Sequence, residues 1–290
     1  MNSESIPAPL PISLARLVKI EHTAFALPFA YVGAFLAVDG VPTSHDLVWI
    51  TVAMVGARSL AMALNRLVDA QIDARNPRTA GRELPAGRLT AAQVVAFCLA
   101  SLALFLVAVW QLDPLVRWLW PIPVAAFVVY PYLKRVTWLA HLWLGAVDGL
   151  APVGAWAAIR GDVPWQVWAL AGAVSAWVAG FDLFYSLLDV EIDRAQGLHS
   201  WATRWGTGGV FSGARALHGV TVGLLVAAGL GLAVGALYWV GVGAVAALLV
   251  YEHLLVRPGD LRRLDTAFFT TNGAISAAFF AFVLADVLVT

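Results

Sequence analysis

From Val18 to Leu288 the chain is a succession of apolar stretches, each about 20 residues long, the length a helix needs to cross a bilayer. A stretch of that length in lipid closes its backbone hydrogen bonds as a helix. Nine segments can be drawn: Val18–Val38, Leu47–Asp69, Ala91–Gln111, Leu115–Leu133, Trp138–Ile159, Gln166–Asp189, Val210–Val234, Leu237–Val256 and Thr266–Leu288. Composition agrees. Of 290 residues, 61% are hydrophobic and 12% charged, with a mean hydropathy of +0.80. Soluble domains carry about 25% charged residues. The expectation is an all-α integral membrane protein in which residues 1–290 form a single transmembrane domain. The polar, proline-bearing start, Met1 to Pro11, gives no sign of a cleavable signal. Cys98 is the only cysteine, so no disulfide framework is expected.

Charge placement is more informative than net charge, which is zero and points to no nucleic-acid partner. Arg16, Lys19, Arg75, Arg78, Arg82, Arg88, Lys134, Arg135, Arg194, Arg204, Arg215, Arg257, Arg262 and Arg263 fall on one side of the predicted bundle. The other side has Arg117 and Arg160, while Arg58 and Arg66 lie inside the second segment. By the positive-inside rule the first side is cytoplasmic. The N-terminus is then inside and the C-terminus outside, in a bacterial or archaeal inner or cell membrane. Trp110, Trp118, Trp120, Trp138, Trp143, Trp165, Trp168 and Trp201 fall near predicted helix ends, as an interfacial aromatic belt does.

Two acidic clusters break the apolar pattern. Carboxylates inside a membrane helix cost roughly +2.5 to +3.5 kcal/mol each on insertion scales. They usually face a cavity and mark a site. Asn65, Asp69 and Asp73 stand at i, i+4 and i+8, on one helix face. Asp182, Asp189 and Asp193 stand at i, i+7 and i+11, again one face. One cluster alone is equally well explained by interfacial ion pairs with nearby Arg. Two clusters of matching spacing on one membrane face are not. Each is followed by an Arg-bearing polar loop, a loose echo between two halves of the chain.

Opposed across a pocket, these faces would form a box of oxygen ligands of the kind that holds magnesium against a diphosphate. Diphosphate leaves readily only when its charge is shielded by metal and by Lys or Arg. Lys134 and Arg135 end the fourth segment, and Arg75, Arg78, Arg82 and Arg88 follow the second. Phe, Tyr and Trp faces could stabilise an allylic cation, and the apolar bundle could house an isoprenoid tail.

The motif Asn65-Arg66-x-x-Asp69-x-x-x-Asp73 resembles the first aspartate-rich motif of the UbiA superfamily of intramembrane prenyltransferases. Asp182-x-x-Tyr185-Ser186-x-x-Asp189-x-x-x-Asp193 resembles the second. The loop Ala74 to Gly87 and the stretch Tyr130-Pro131-x-x-Lys134-Arg135 resemble its 4-hydroxybenzoate polyprenyltransferase-like branch. The likeness runs from Leu17 to about Asn272. One departure is Arg66, where many members carry an aspartate.

The resemblance implies about nine transmembrane helices around a central cavity open to the cytoplasmic side and to lipid. It implies magnesium-dependent transfer of a polyprenyl group from polyprenyl diphosphate to an aromatic acid acceptor in ubiquinone or menaquinone biosynthesis. Asn65, Asp69, Asp73, Asp189 and Asp193 would hold the magnesium–diphosphate, with Asp182 deeper and near the acceptor. Lys134 and Arg78 would bind phosphate oxygens, and Arg66 would contact diphosphate or acceptor. Arg135, Tyr130 and Tyr185 belong to the expected substrate site. Glu21 and His22, in a Glu-His-Thr-x-Phe-Ala-Leu-Pro stretch that resembles the futalosine-pathway menaquinone subset, would face the acceptor. That subset makes a dihydroxynaphthoate acceptor the rival of 4-hydroxybenzoate. Other superfamily acceptors are haem, chlorin and homogentisate. An ion-coupled secondary transporter would instead place its acids near the bilayer midplane, and a non-catalytic scaffold would not need six aligned acid or amide groups. His141, His199, His218 and His253 lack metal-ligand spacing and receive no role.

Overall fold

The computed structural model describes residues 9–19, 23–261, 263–264 and 270–290. Its helices are α1 (Leu10–Val18), α2 (Thr23–Val38), α3 (Ser44–Ala74), α4 (Ala91–Trp110), α5 (Pro114–Leu119) and α6 (Pro121–Leu133). They continue as α7 (Ala140–Arg160), α8 (Trp165–Tyr185), α9 (Val190–Ala195), α10 (Trp201–Leu232), α11 (Ala236–Leu255) and α12 (Asn272–Val289). Among the described residues there is no sheet, only an isolated bridge between Arg257 and Asp260.

Among the described residues, eight helical stretches are long and apolar enough to cross a membrane, with α5 and α6 counted as one. The remaining expected segment, Val18–Val38, holds α2, with Ala26–Val38 an apolar helical stretch among the described residues. The expected Val18–Val38 segment is not one helix: α1 ends at Val18 and Lys19 takes a left-handed turn with φ 47°. The fourth segment is likewise broken, because Pro121 removes a backbone donor where α5 meets α6.

Helix α3 runs beyond the expected end at Asp69, so Asn65, Asp69 and Asp73 do share one helix. Thr43 caps its start, accepting from the Asp46 backbone N–H at 3.1 Å. The second cluster departs from expectation. Helix α8 stops at Tyr185, a 3-10 turn covers Ser186–Leu188, and Asp193 lies on the separate α9. The Ser186 hydroxyl donates back to the Leu183 carbonyl at 2.6 Å. Asp189, at φ −113°, has left the helical region. The regular i, i+7, i+11 face therefore ends at the turn.

Helices α7 and α8 approach closely through a glycine seam. A Cβ on Gly145 would fall 2.1 Å from the Ser175 carbonyl oxygen, and one on Gly149 2.5 Å from that of Ala171. Small residues four apart are how membrane helices bring their backbones together. His141 precedes this seam at the same four-residue interval, so it faces α8 as well. Outward faces carry exposed Leu99, Val107, Leu230 and Val250, as helices against lipid do. The expected aromatic belt is partly visible in exposed Trp110, Trp118, Trp165 and Trp168. Trp138 and Trp201 instead pack with Trp205, with ring centroids 4.2 to 5.3 Å apart.

Candidate active site

A cavity of about 630 Å³ lies within the bundle formed by α2 to α8. One end is polar, built where α3, α6 and α8 finish and α7, α9 and α10 begin. The rest is apolar, with Phe29, Phe105, Phe127, Trp168, Trp177 and Phe181 among its walls.

The first acidic cluster meets its cations here. Asp69, 2% exposed, pairs through Oδ2 with Lys134. The Asn65 amide donates to the same oxygen at 3.4 Å. Arg135 stands 3.0 Å from Oδ1 without hydrogen-bond geometry, and that buried oxygen has no donor. Arg82 donates from one nitrogen to both oxygens of Asp73, at 2.6 and 2.7 Å. Thr79 ties the loop down by donating to the Asp73 carbonyl at 2.9 Å.

The loop after α3 crosses to the second cluster. The Asn76 amide donates to Asp189 Oδ1 at 2.8 Å, and Arg78 Nε donates to the same oxygen at 3.0 Å. A second Arg78 nitrogen pairs with Asp189 Oδ2. The Arg78 guanidinium lies over the Tyr185 ring, 5.3 Å from its centroid. Burial pushes the Asp189 carboxyl up, but the hydrogen bonds from Arg78 and Asn76 outweigh it and hold the carboxyl below the ordinary range. Asp193 goes the other way: burial and the neighbouring Asp189 charge raise it, only partly offset by Lys134 and His141. Burial would lower the Arg78 guanidinium, yet its bonds to Asp189 leave it raised.

Deeper in the cavity, Asp182 does not join the other acids. Its Oδ2 accepts from His141 Nδ1 at 2.6 Å. Tyr130 lies within electrostatic reach of it, and Arg66, which also lines the cavity, donates to the Asn65 side chain at 3.4 Å. Farther along α3, half-buried Arg58 has a buried Nε with no partner and lies within electrostatic reach of Asp148 on α7.

The structure thus gathers Asn65, Arg66, Asp69, Asp73, Arg78, Tyr130, Lys134, Asp182, Tyr185, Asp189 and Asp193 around one cavity. Arg135 is outside the lining; its guanidinium is spent on Asp69 and on the backbone carbonyls of Val68 and Pro131, bracing α3 against α6. Arg88 pairs with Glu83 and organises the loop rather than the cavity. Glu21 and His22 lie outside the described residues. Sequence reasoning passed over Asn76, Arg58 and His141. The glycine seam was the signal available for His141; Asn76 had none beyond its place in a polar loop.

The donor set suits a hard cation. The facing groups are carboxylate and amide oxygens, and the unsatisfied Oδ1 of buried Asp69 keeps coordination capacity in reserve. Among the described residues no three acids or histidines converge tightly enough to hold an ion by themselves.

The UbiA prenyltransferase family model matches residues 26–282. A 4-hydroxybenzoate octaprenyltransferase from Marinobacter nauticus is 32% identical over 277 residues, 93% of each chain. Another, from Aromatoleum aromaticum, is 29% identical over 86% of this chain and 85% of its own. Among solved structures, the apo form of a UbiA homologue from Aeropyrum pernix K1 superposes with a TM-score of 0.83 at 33% identity, covering 92% of this chain and 98% of that one. A UbiA homologue from Archaeoglobus fulgidus, bound to DMAPP and Mg2+, shares the fold with a TM-score of 0.71 at 19% identity, covering 96% of this chain and all of that one.

Proposed function

The chain belongs to the UbiA prenyltransferase family, and from that premise we propose that it transfers a polyprenyl group from polyprenyl diphosphate to an aromatic acid of the 4-hydroxybenzoate type in quinone biosynthesis. The observation that carries this reading is the meeting of both acidic clusters and their cations at the polar end of an otherwise aromatic, apolar cavity. That end suits a diphosphate and the interior suits an isoprenoid tail. The curated relatives support the acceptor class, and the ligands of the Archaeoglobus fulgidus homologue support a magnesium–diphosphate site.

Asn65, Asp69, Asp73, Asp189 and Asp193 would hold magnesium. When bound, magnesium shields the diphosphate charge and makes the group easier to expel. Among the described residues no three acids or histidines converge, so the substrate's phosphate oxygens would have to supply part of the oxygen donor set for magnesium. Lys134, Arg78 and Arg82, now paired with those acids, turn to the phosphates. Holding the allylic carbon and acceptor ring side by side, with water kept from the apolar interior, favours transfer over hydrolysis. Arg58, lining the cavity with a buried, unpartnered Nε, supplies the counter-charge for the acceptor's carboxylate. The chain acts as one catalytic unit with this end facing the cytoplasm and the cavity reached by the lipid-soluble substrate from the bilayer. A dihydroxynaphthoate acceptor is the second reading, favoured by the Glu21-His22 stretch.

The test is product formation by purified protein in lipid with magnesium and a long-chain prenyl diphosphate. 4-Hydroxybenzoate and 1,4-dihydroxy-6-naphthoate are supplied separately and products read by mass spectrometry. One prenylated acid, lost in Asp69→Ala and Asp189→Ala, is the expected result. No product from either acid would reject the proposed acceptor class.

A further inference from the structure

We propose that His141 is the base that removes the ring proton from the acceptor, with Asp182 as its positioning residue. The proposal deepens the transfer reaction above and rests on it.

Electrophilic substitution on an aromatic ring leaves a proton to be removed. The C1–O bond of the prenyl diphosphate breaks and its electron pair departs with diphosphate. A ring π pair forms the new bond to C1. The substituted carbon then carries both the prenyl group and a hydrogen. Aromaticity returns when a base takes that hydrogen as a proton and the C–H pair re-enters the ring. The proton then passes to the departing diphosphate, so the sequence needs no redox partner.

An effective base needs an available lone pair, exclusion from bulk water and a fixed orientation. His141 meets all three conditions. It lines the cavity and is 9% exposed. Its Nδ1 stands 2.6 Å from Asp182 Oδ2. An ionised carboxylate can only accept, so in the neutral imidazole this contact places the proton on Nδ1 and leaves the lone pair on Nε2. That Nε2 is buried and has no partner. Asp182 both fixes the tautomer and stabilises the imidazolium once the proton arrives, the division of labour known from other His–Asp pairs. Asp182 is free for this role because the diphosphate end is furnished by Asp69, Asp73, Asp189 and Asp193, while its own oxygen is committed to His141. The position is also right. His141 lies within electrostatic reach of Asp193 at the polar end, and it lines the same cavity as the apolar Leu144, Trp177 and Phe181. The glycine seam of Gly145 and Gly149 holds α7 against α8 and keeps the pair in register.

The experiment compares the wild type with His141→Gln, His141→Ala and Asp182→Asn in lipid, using acceptor with and without deuterium on the ring. Binding of the prenyl diphosphate is measured on each variant, as a check on folding and on the diphosphate site. The proposal expects His141→Gln to lose roughly 100-fold or more in kcat with prenyl diphosphate binding retained. A primary isotope effect should emerge, because proton removal becomes rate-limiting. Added imidazole should restore part of the turnover of His141→Ala, and Asp182→Asn should show the same isotope effect. Turnover near wild type in both His141 variants would overturn the assignment. So would a loss with binding intact but neither isotope effect nor imidazole rescue. A wild type that prenylates no aromatic acid would overturn the transfer reading itself, and this assignment with it.

Discussion

The Asn76 side chain donates to Asp189 across 2.8 Å although the two residues lie 113 positions apart. Through this bond and the Arg78 pair, the loop that follows the first acidic cluster fixes the second. The two halves of the site are therefore one assembly, and a change in either loop is felt at both.

Asn76 is not an expected ligand, so its loss should act through Asp189. Partners that orient a metal-binding carboxylate typically contribute 10- to 100-fold to affinity or activity, and we expect about that range for Asn76→Ala. The loss should appear in prenyl diphosphate affinity and magnesium dependence, measured by steady-state kinetics at varied metal. An unchanged metal requirement would contradict the coupling.

Asp193 and Asp189 should differ in their effect on stability. A carboxyl held above its ordinary range favours the protonated form in the folded protein, so folding is penalised at neutral pH and relieved as pH falls into that range. Asp193→Asn should therefore raise the melting temperature of metal-free protein at pH 7 while abolishing transfer. Its advantage should shrink on acidification. Asp189, held low, stabilises the fold above the unfolded carboxyl pKa of about 3.9 and loses that contribution below it. Thermal unfolding in detergent across pH separates the two.

The glycine seam offers a third test. Leucine at Gly145 would drive its side chain into the Ser175 carbonyl and part α7 from α8. The His141–Asp182 contact should break while Lys134, Asp69 and Asp189, which lie off the seam, keep the diphosphate site. Gly145→Leu should thus lower kcat far more than prenyl diphosphate binding, read by paired turnover and binding measurements.

A buried polar chain behind the cavity wall sets the position of an aromatic face. Trp177 donates to Asn272 Oδ1 at 2.8 Å, and Asn272 donates to Glu252 at 3.1 Å. Asn272→Leu would strand two buried groups, each costing about 1–3 kcal/mol. A lower melting temperature and altered preference for prenyl chain length are expected, since Trp177 lines the cavity.

Much of this is legible in the amino-acid sequence. Apolar segment length marks the helices, because lipid leaves the backbone no other partners. The Asn65, Asp69, Asp73 spacing survives intact because α3 is an uninterrupted helix. The second spacing misled beyond Tyr185, since no glycine or proline announces the 3-10 turn. Its geometry goes with Asp189 being drawn to Asn76 and Arg78, a tertiary cause that periodicity cannot register. The His141–Asp182 pair was hidden for a related reason. The two residues are 41 positions apart, on different helices, and metal-ligand spacing was the wrong test for a histidine whose partner is one carboxylate.

Asp69 on α3 and Asp189 after α8 are proposed to serve a single magnesium–diphosphate site. Calorimetric titration of a non-cleavable prenyl diphosphate analogue, with and without magnesium, tests it most directly on wild type, Asp69→Ala, Asp189→Ala and the double variant. Tight binding is expected to require magnesium, either substitution to abolish it, and the double variant to be little worse than either single one. Binding that ignores magnesium, or that survives both substitutions, would contradict the single site.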